Sequence, residues 1–283
     1  MMKTILVPTD FSVNASVAAR YALDLATSLG GFDIHFLHAY VPFTSAFQAH
    51  AANQEDEDRS RLEAEKGLAE FIGALGPTPD VPVTFSLSQD NLVNSIEQCA
   101  KDKMVSLVVM GTHGASGTRK DVLGSNTHDV AKSISVPLLI VPEHTARFQS
   151  DSVVFFTDYH QGDVFTLNVF KSIFGEASSR CTLVHIHKDE ELPAESDRQK
   201  LADWKLELER LTGYKNLNTE LAHVQENMEA VSQIIERFGA TLTMLTLVEG
   251  RNFFETLLHK SLAKAIVFNP ETPTLLTTSE ESD

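Results

Sequence analysis

The densest chemistry in this chain lies in Val108-Val109-Met110-Gly111-Thr112-His113-Gly114-Ala115-Ser116-Gly117, continued by Thr118 to Leu123 and closed by Gly124-Ser125-Asn126. The segment leaves an apolar, β-branched run, passes through glycines and enters a helix around Ser125. Glycines open positive-φ conformations and let the main chain approach a ligand closely. Unpaired N–H groups in such a loop, together with those at a helix start, form a concave anion site. Arg119 and Lys120 add two cations to the same loop. The chemistry implied is the cradling of a phosphate. No Gly-Lys-Ser/Thr follows and the spacing is not GxGxxG, so neither familiar phosphate loop applies. On glycine content alone, a plain strand-to-helix turn is an equal alternative.

Such a loop needs a rigid frame. Short β-branched runs at Thr4 to Val7, Ile34 to Ala39, Val81 to Leu87, Leu107 to Met110 and Leu138 to Val141 read as strands. Between them, Val13, Val17, Tyr21, Leu25 and Leu29 recur at helical spacing, as do Leu62, Ala69, Ile72 and Leu75, and then Leu92, Val93, Ile96 and Cys99 or Ala100. Strand–helix alternation implies right-handed crossovers and a parallel sheet covered on both faces. Ligands in such α/β folds bind beyond the carboxyl ends of the strands, where strand order reverses. That points to Pro8, Thr9 and Asp10, to Ala39, and to the residues after Met110.

The frame occurs twice. Ile5-Leu6-Val7-Pro8-Thr9-Asp10 is echoed by Val153-Val154-Phe155-Phe156-Thr157-Asp158, and Phe36-Leu37-His38-Ala39 by Leu183-Val184-His185-Ile186. Val108-Val109-Met110 is matched to Met244-Leu245-Thr246, and Pro137 to Pro273. In the second half Leu201, Trp204, Leu208 and Leu211 trace another helix stripe. The expected organisation is a tandem repeat of domains over residues 1–145 and 150–283, joined near Glu143 to Gln149.

Composition narrows the partners. Among 283 residues, 23 basic and 39 acidic side chains give a net charge of −16, which repels phosphate backbones and anionic lipid. Nucleic acid and membrane are therefore not expected as partners, while a small anion in one local pocket is still allowed. The 42% hydrophobic content is that of a globular chain. No apolar run approaches a membrane span, and the start, Met1 to Pro8, lacks the apolar region of a signal peptide. The expected compartment is the cytoplasm. Cys99 and Cys181 form no disulfide framework and read as small buried hydrophobes.

The full glycine spacing goes further than glycine content. Gly111, two residues, Gly114, nine residues and then Gly124-Ser125 resembles the nucleotide-binding pattern of the universal stress protein family. Ile5-Leu6-Val7-Pro8-Thr9-Asp10-Phe11-Ser12 and Pro137-Leu138-Leu139-Ile140-Val141 are similar to that family's opening and closing segments, in the same order. The resemblance spans residues 1–143. It implies two tandem open-sheet α/β domains of the adenine-nucleotide α-hydrolase-like kind, each a five-stranded, mainly parallel sheet with helices on both faces. It also implies ATP, with Mg²⁺, as the cofactor. By the same resemblance Asp10 faces the ribose and adenine side with Pro8 and Thr9 beside it, the Ala39 backbone reads the adenine edge, and Met110 packs beneath the nucleoside. Gly111, His113, Gly114, Gly124, Ser125 and Asn126 then surround the phosphates. Asn126 departs from the small apolar residue common there, and Ser88-Gln89 replaces a common glycine. From the residues alone, Asp10 could cap the first helix, His113 could be an ordinary loop histidine, and Ser125 could serve only as a helix cap.

Anchoring on Pro137 and Pro273 puts Gly111 on Leu247, Gly114 on Gly250, Gly124 on Lys260 and Ser125 on Ser261. Side chains thus stand where glycines stood, Glu249 adds negative charge, and the second half is expected not to bind ATP in the family manner. Domains of this family associate edge to edge through their last strands. The resemblance therefore implies that Leu138 to Val141 and Leu275 to Thr278 pair within one chain, with a homodimer of whole chains also open.

Other patterns are weaker. His185 and His187 share a strand face, but no HxxxH, HExxH or Cys/His cluster accompanies them, and no metal site is expected. Glu55 to Asp58 reads as solvated surface after a long loop from Tyr40 to about Gln54, a loop that could cover the nucleotide, and the tail from Thr277 to Asp283 is expected to fray. No G-x-S-x-G elbow or paired-carboxylate constellation appears, so the expectation is a nucleotide-dependent regulatory module and no enzyme beyond slow incidental hydrolysis. The alternatives are an ATP-consuming adenylating or phosphorylating enzyme and a nucleotide-independent scaffold.

Overall fold

In the computed structural model, strands form where apolar side chains alternate between two faces. The structure describes residues 2–41, 54–78, 80–112, 124–133, 135–175, 180–187, 192–223, 228–248 and 272–279. The first half contains β1 (Lys3–Pro8), α1 (Val13–Leu29), β2 (Phe32–Ala39), α2 (Gln54–Ala74), β3 (Val83–Ser88), α3 (Leu92–Lys103), β4 (Val105–Gly111), α4 (Ser125–Ser133) and β5 (Leu138–Val141). The second contains β6 (Ser152–Phe156), α5 (Gly162–Phe174), β7 (Arg180–His187), α6 (Glu195–Thr212), β8 (Leu217–His223), α7 (Met228–Phe238), β9 (Leu242–Val248) and β10 (Thr274–Ser279).

All ten strands join one sheet in the order β3-β2-β1-β4-β5-β10-β9-β6-β7-β8. Every neighbouring pair is parallel except β5 and β10, where Leu139 faces Leu275 in an antiparallel seam. This is the pairing anticipated from sequence. Alternation then sorts the core. Ile5, Val7, Leu139 and Leu275 pack on one face with residues of α1, α2, α5 and α6. Leu6, Leu138, Ile140 and Leu276 pack on the other with α3, α4 and α7. The connection between halves is stapled down by Phe148, whose ring lies 5.7 Å from Tyr21 of α1 and 5.9 Å from Phe174 of α5.

Three expectations are corrected. The buried stripe of α1 is carried by Ala15, Ala18, Ala19, Ala22 and Ala26 alongside Tyr21 and Leu25, while Val13 is 70% exposed. Alanines let this helix lie close to the sheet, and a reading based on large residues misses them. In α2 the residues turned inward are Ala64, Leu68 and Phe71, and Leu62 is exposed. Its acidic run forms the first helical turn, where carboxylates complement the positive end of the helix dipole. Finally, Thr277 to Ser279 do not fray: they complete β10 beside β9, with Thr277 buried. The loop at 42–53 and the last residues, 280–283, lie outside the described residues.

Candidate ligand-binding cleft

At the carboxyl ends of β1 and β4 the sheet divides its connections. The crossover from β1 leads to α1 on one face, and the segment after β4 leads to α4 on the other. Between them lies an open cleft. Pro8, Thr9, Asp10, Ala39, Met110, Gly111 and Asn126, all expected site residues, line it, and Ala15, Leu92 and Thr127 complete it. Those three were missed, because a small residue inside α1, the first residue of α3 and a threonine in the first turn of α4 carry no motif.

The wall formed by β1 is set by a tight turn. Thr9 N–H donates to the Leu37 carbonyl (2.9 Å), continuing the β1–β2 register one residue past the strand. The Thr9 hydroxyl oxygen then accepts from Phe11 N–H (3.0 Å), and Asp10 Oδ1 accepts from Ser12 N–H (3.1 Å). Phe11 sits at φ 66°, in the left-handed region, which reverses the chain into α1. Its ring is held 4.2 Å from that of His38, and His38 Nδ1 donates to the Thr9 carbonyl (2.7 Å). The cap of α1 is Ser12, whose hydroxyl accepts from Ala15 N–H (3.1 Å), so the capping alternative for Asp10 gives way to a turn that Asp10 braces.

The opposite wall begins at Gly111. A Cβ there would come within 2.9 Å of the Asn14 carbonyl oxygen, so glycine is required by the first turn of α1 packing against β4. That is a packing reason beside the ligand reason inferred from sequence. Thr127 Oγ1 donates to the Gly111 carbonyl (2.9 Å), and Gly124 N–H to the Thr112 carbonyl (2.8 Å), which ties the start of α4 back to the end of β4. Because His128 N–H bonds to the Gly124 carbonyl (3.0 Å), Gly124 is the residue at the cap. Ser125 is the first helical residue and not the cap. Ser125 and Asn126 are exposed, and their N–H groups belong to the unsatisfied first turn of α4 at the cleft. His113 and Gly114, with Arg119 and Lys120, lie outside the described residues.

The second half repeats the turn almost atom for atom. Thr157 N–H donates to the Val184 carbonyl (2.9 Å), Thr157 Oγ1 accepts from Tyr159 N–H (2.9 Å), and Tyr159 has φ 63°. His185 Nδ1 donates to the Thr157 carbonyl (2.8 Å) under the Tyr159 ring at 4.3 Å. The strand register corrects the alignment of the loop, however. Ile5 and Leu6 pair with Leu107 and Val108, whereas their counterparts Val153 and Val154 pair with Leu242 and Thr243. Val108 N–H bonds to the Pro137 carbonyl and Thr243 N–H to the Pro273 carbonyl, both at 2.9 Å. Val108 therefore corresponds to Thr243, and Gly111 to Thr246. Leu247, expected at the Gly111 position, is instead a core residue 1% exposed. Gly250, Lys260 and Ser261 lie outside the described residues.

Among the other candidates, His35 is fully buried with Nδ1 2.7 Å from Thr84 Oγ1 and Nε2 2.8 Å from Ser86 Oγ. Burial, with the nearby Lys103 charge, lowers its pKa to about 4, so it holds edge strand β3 as a neutral ring. Burial raises the pKa of both thiols, Cys181 to about 12, which makes them inert. No group of three metal-ligating side chains occurs among the described residues. No described helix is long and apolar enough to cross a membrane.

Residues 1–142 match the model of the universal stress protein family. The chain belongs to that family. Universal stress protein MJ0531 of Methanocaldococcus jannaschii is 29% identical over 143 residues, covering 50% of this chain and 82% of the relative. Universal stress protein MJ0577 of the same organism is 25% identical over 162 residues, covering 50% and 95%. A universal stress protein from Archaeoglobus fulgidus superposes on both halves with a TM-score of 0.70 at 20% identity, covering 97% of this chain and 98% of that one, and so shares the fold.

Proposed function

We propose that the first half of this universal stress protein binds ATP, and that the chain acts as a cytoplasmic, nucleotide-dependent regulatory module in a stress response. The observation that carries this reading is the cleft between β1 and β4. It has an apolar floor at Ala15, Ala39, Leu92 and Met110, polar groups at one side, and the amino end of α4 at the other. An adenine ring suits the floor, and the first-turn N–H groups of α4 suit phosphate oxygens. Thr9 supports the fit from the chain's own side. Its oxygen accepts from Phe11 N–H, and among the described residues its proton has no acceptor, so it can donate to an oxygen or nitrogen of the ligand.

Mg²⁺ would be carried by the nucleotide's phosphates, since the described wall offers one carboxylate, Asp10, already accepting from Ser12 N–H. The chain's own contribution is binding and orientation. We read the protein as non-enzymatic apart from slow incidental hydrolysis, because no base is placed to activate a water in the described cleft.

The deciding experiment is mass spectrometry of small molecules released on denaturing protein purified without added nucleotide, backed by titration calorimetry with ATP and Mg²⁺. One ATP per chain, or one site by titration, is expected. An empty protein that also shows no heat with ATP and Mg²⁺ would remove the reading.

A further inference from the structure

The register places a different set of residues around the second half's cleft position. Ala15 is replaced by Asp163, Ala39 by Ile186, Pro8 by Phe156 and Gly111 by Thr246. Asp163 is 1% exposed. Its Oδ2 accepts from Thr157 Oγ1 (2.5 Å) and Trp204 Nε1 (3.2 Å), and its Oδ1 from Thr246 Oγ1 (2.6 Å). Thr157 and Thr246 are the counterparts of Thr9 and Gly111, two residues that line the first cleft. The carboxylate therefore stands among the positions that border open space in the other half. The hydroxyl proton that Thr9 leaves for a ligand is donated in Thr157 to Asp163.

A second observation confirms the exchange. Gly162 is the counterpart of Asn14, and a Cβ on Gly162 would meet Thr246 Cγ2 at 2.7 Å and Ser279 Oγ at 2.3 Å. In the first half the strand supplies the glycine at this contact and the helix supplies the side chain. In the second half the roles are reversed, and the Thr246 side chain packs against the backbone of Gly162, where a Cβ would collide with it. Thr246 Oγ1 also lies 2.6 Å from Thr166 Oγ1, itself 2.5 Å from Thr277 Oγ1, so the hydroxyls continue down to β10.

We infer that Asp163 and Thr246 are the residues that determine which half takes a ligand: together they form an internal plug that replaces the nucleoside in the second half. The plug satisfies its own polar atoms, places a buried carboxylate where the nucleoside would lie, and holds the second half in a filled state independent of nucleotide. The inference rests on the reading that the first cleft takes a nucleoside, and it differs from a mere loss of loop glycines in naming an occupant.

The test is photolabelling of the full chain with 8-azidoadenosine, with labelled peptides located by mass spectrometry. Wild-type protein should label the first half only. Asp163→Ala with Thr246→Gly opens the plug and should add labelling near Thr157 or Leu245. If that double variant does not fold, Asp163→Ser with Thr246 retained is the milder opening. Conversely, Ala15→Asp should weaken first-half labelling by roughly a hundredfold, the scale of forcing a ligand against a buried carboxylate. A folded opened variant that gains no second-half label, or a wild type that labels both halves alike, overturns the plug. A wild type that labels neither half and also shows no heat on titration with ATP and Mg²⁺ overturns the nucleotide reading instead, and second-half labelling of the opened variant still decides the plug.

Discussion

The turns after β1 and β6 match one another, while the residues beneath them do not. Thr9, Phe11 and His38 are matched by Thr157, Tyr159 and His185 in hydrogen bonds, ring contact and positive φ. A few residues away, Ala15 and Gly111 are matched by Asp163 and Thr246. The turn is common to a half with an open cleft and a half with a filled one, so it is a requirement of the fold, which must reverse the chain from strand to helix on either side. What separates the halves is the size of the residues on the cleft floor. Polar residues such as Asp10 and His38 draw the eye in a sequence, yet small ones decide whether anything can bind.

The contrast can be broken first at the seam, where the halves meet. Leu275 is fully buried against Leu139. Leu275→Asp places an unpaired carboxylate there and should cost about 4 kcal/mol or more, an effect of the size seen for buried unpaired charge. Urea unfolding followed by circular dichroism should change from one transition to two. A single transition at the wild-type midpoint would mean that the seam does not couple the halves.

A smaller effect separates the halves by pH, through one buried group in each that titrates in the acid range. His35, whose strand counterpart is Thr182, has its pKa lowered from 6.5 to about 4. The unfolded chain binds that proton first, so its contribution to stability is complete above pH 6.5 and is lost as pH falls towards 4. Asp163 has its pKa raised from 3.8 to about 6 by burial, against the opposing hydrogen bonds from Thr157, Thr246 and Trp204. There the folded state binds the proton first, so stability is greatest below pH 3.8 and declines as pH rises through 6. Urea midpoints between pH 4 and 7 should therefore rise less steeply with pH for His35→Gln and more steeply for Asp163→Asn, relative to wild type. Identical slopes for all three proteins would show that neither group titrates as its burial requires.

The finest test compares the two glycines. Gly111→Ala pushes against the Asn14 backbone, which cannot move aside, whereas Gly162→Ala meets the side chains of Ser279 and Thr246. Both should destabilise by about 1–3 kcal/mol, Gly111→Ala the more. Adding Thr246→Ser, which removes the methyl, should recover part of the Gly162→Ala loss and none of the Gly111→Ala loss. Equal recovery in both backgrounds would dissolve the proposed exchange of glycine across the contact.

Much of this was legible beforehand. The alternation of strand and helix and the doubling of Ile5 to Asp10 and Phe36 to Ala39 identify the fold, because they are set by local periodicity and by identical turn chemistry. The seam was legible only through the family resemblance, since nothing in Leu138 to Val141 says which strand it meets. The floor of the second cleft was not legible. The segment from β9 to β10 is one residue longer than that from β4 to β5, so an alignment anchored on Pro137 and Pro273 slips by one before it reaches Thr246. Asp163 drew no reading from the sequence, and only the structure shows it buried in the first turn of α5 and bonded to Thr157, Trp204 and Thr246. Likewise the alanines of α1 carry no signal in a pattern built on large apolar residues.

The seam between β5 and β10 also bears on how such a chain can change over generations. In a symmetric pair of identical single domains, any substitution appears on both sides of the two-fold axis, so one site cannot be closed without closing its twin. Joining two domains end to end across an antiparallel edge, as β5 and β10 do here, lifts that constraint. Each strand still needs the other to cover it, so neither half can be discarded, yet a residue such as Asp163 can enter one side alone. The seam turns a redundant copy into an obligatory companion that is free to stop doing its sister's work.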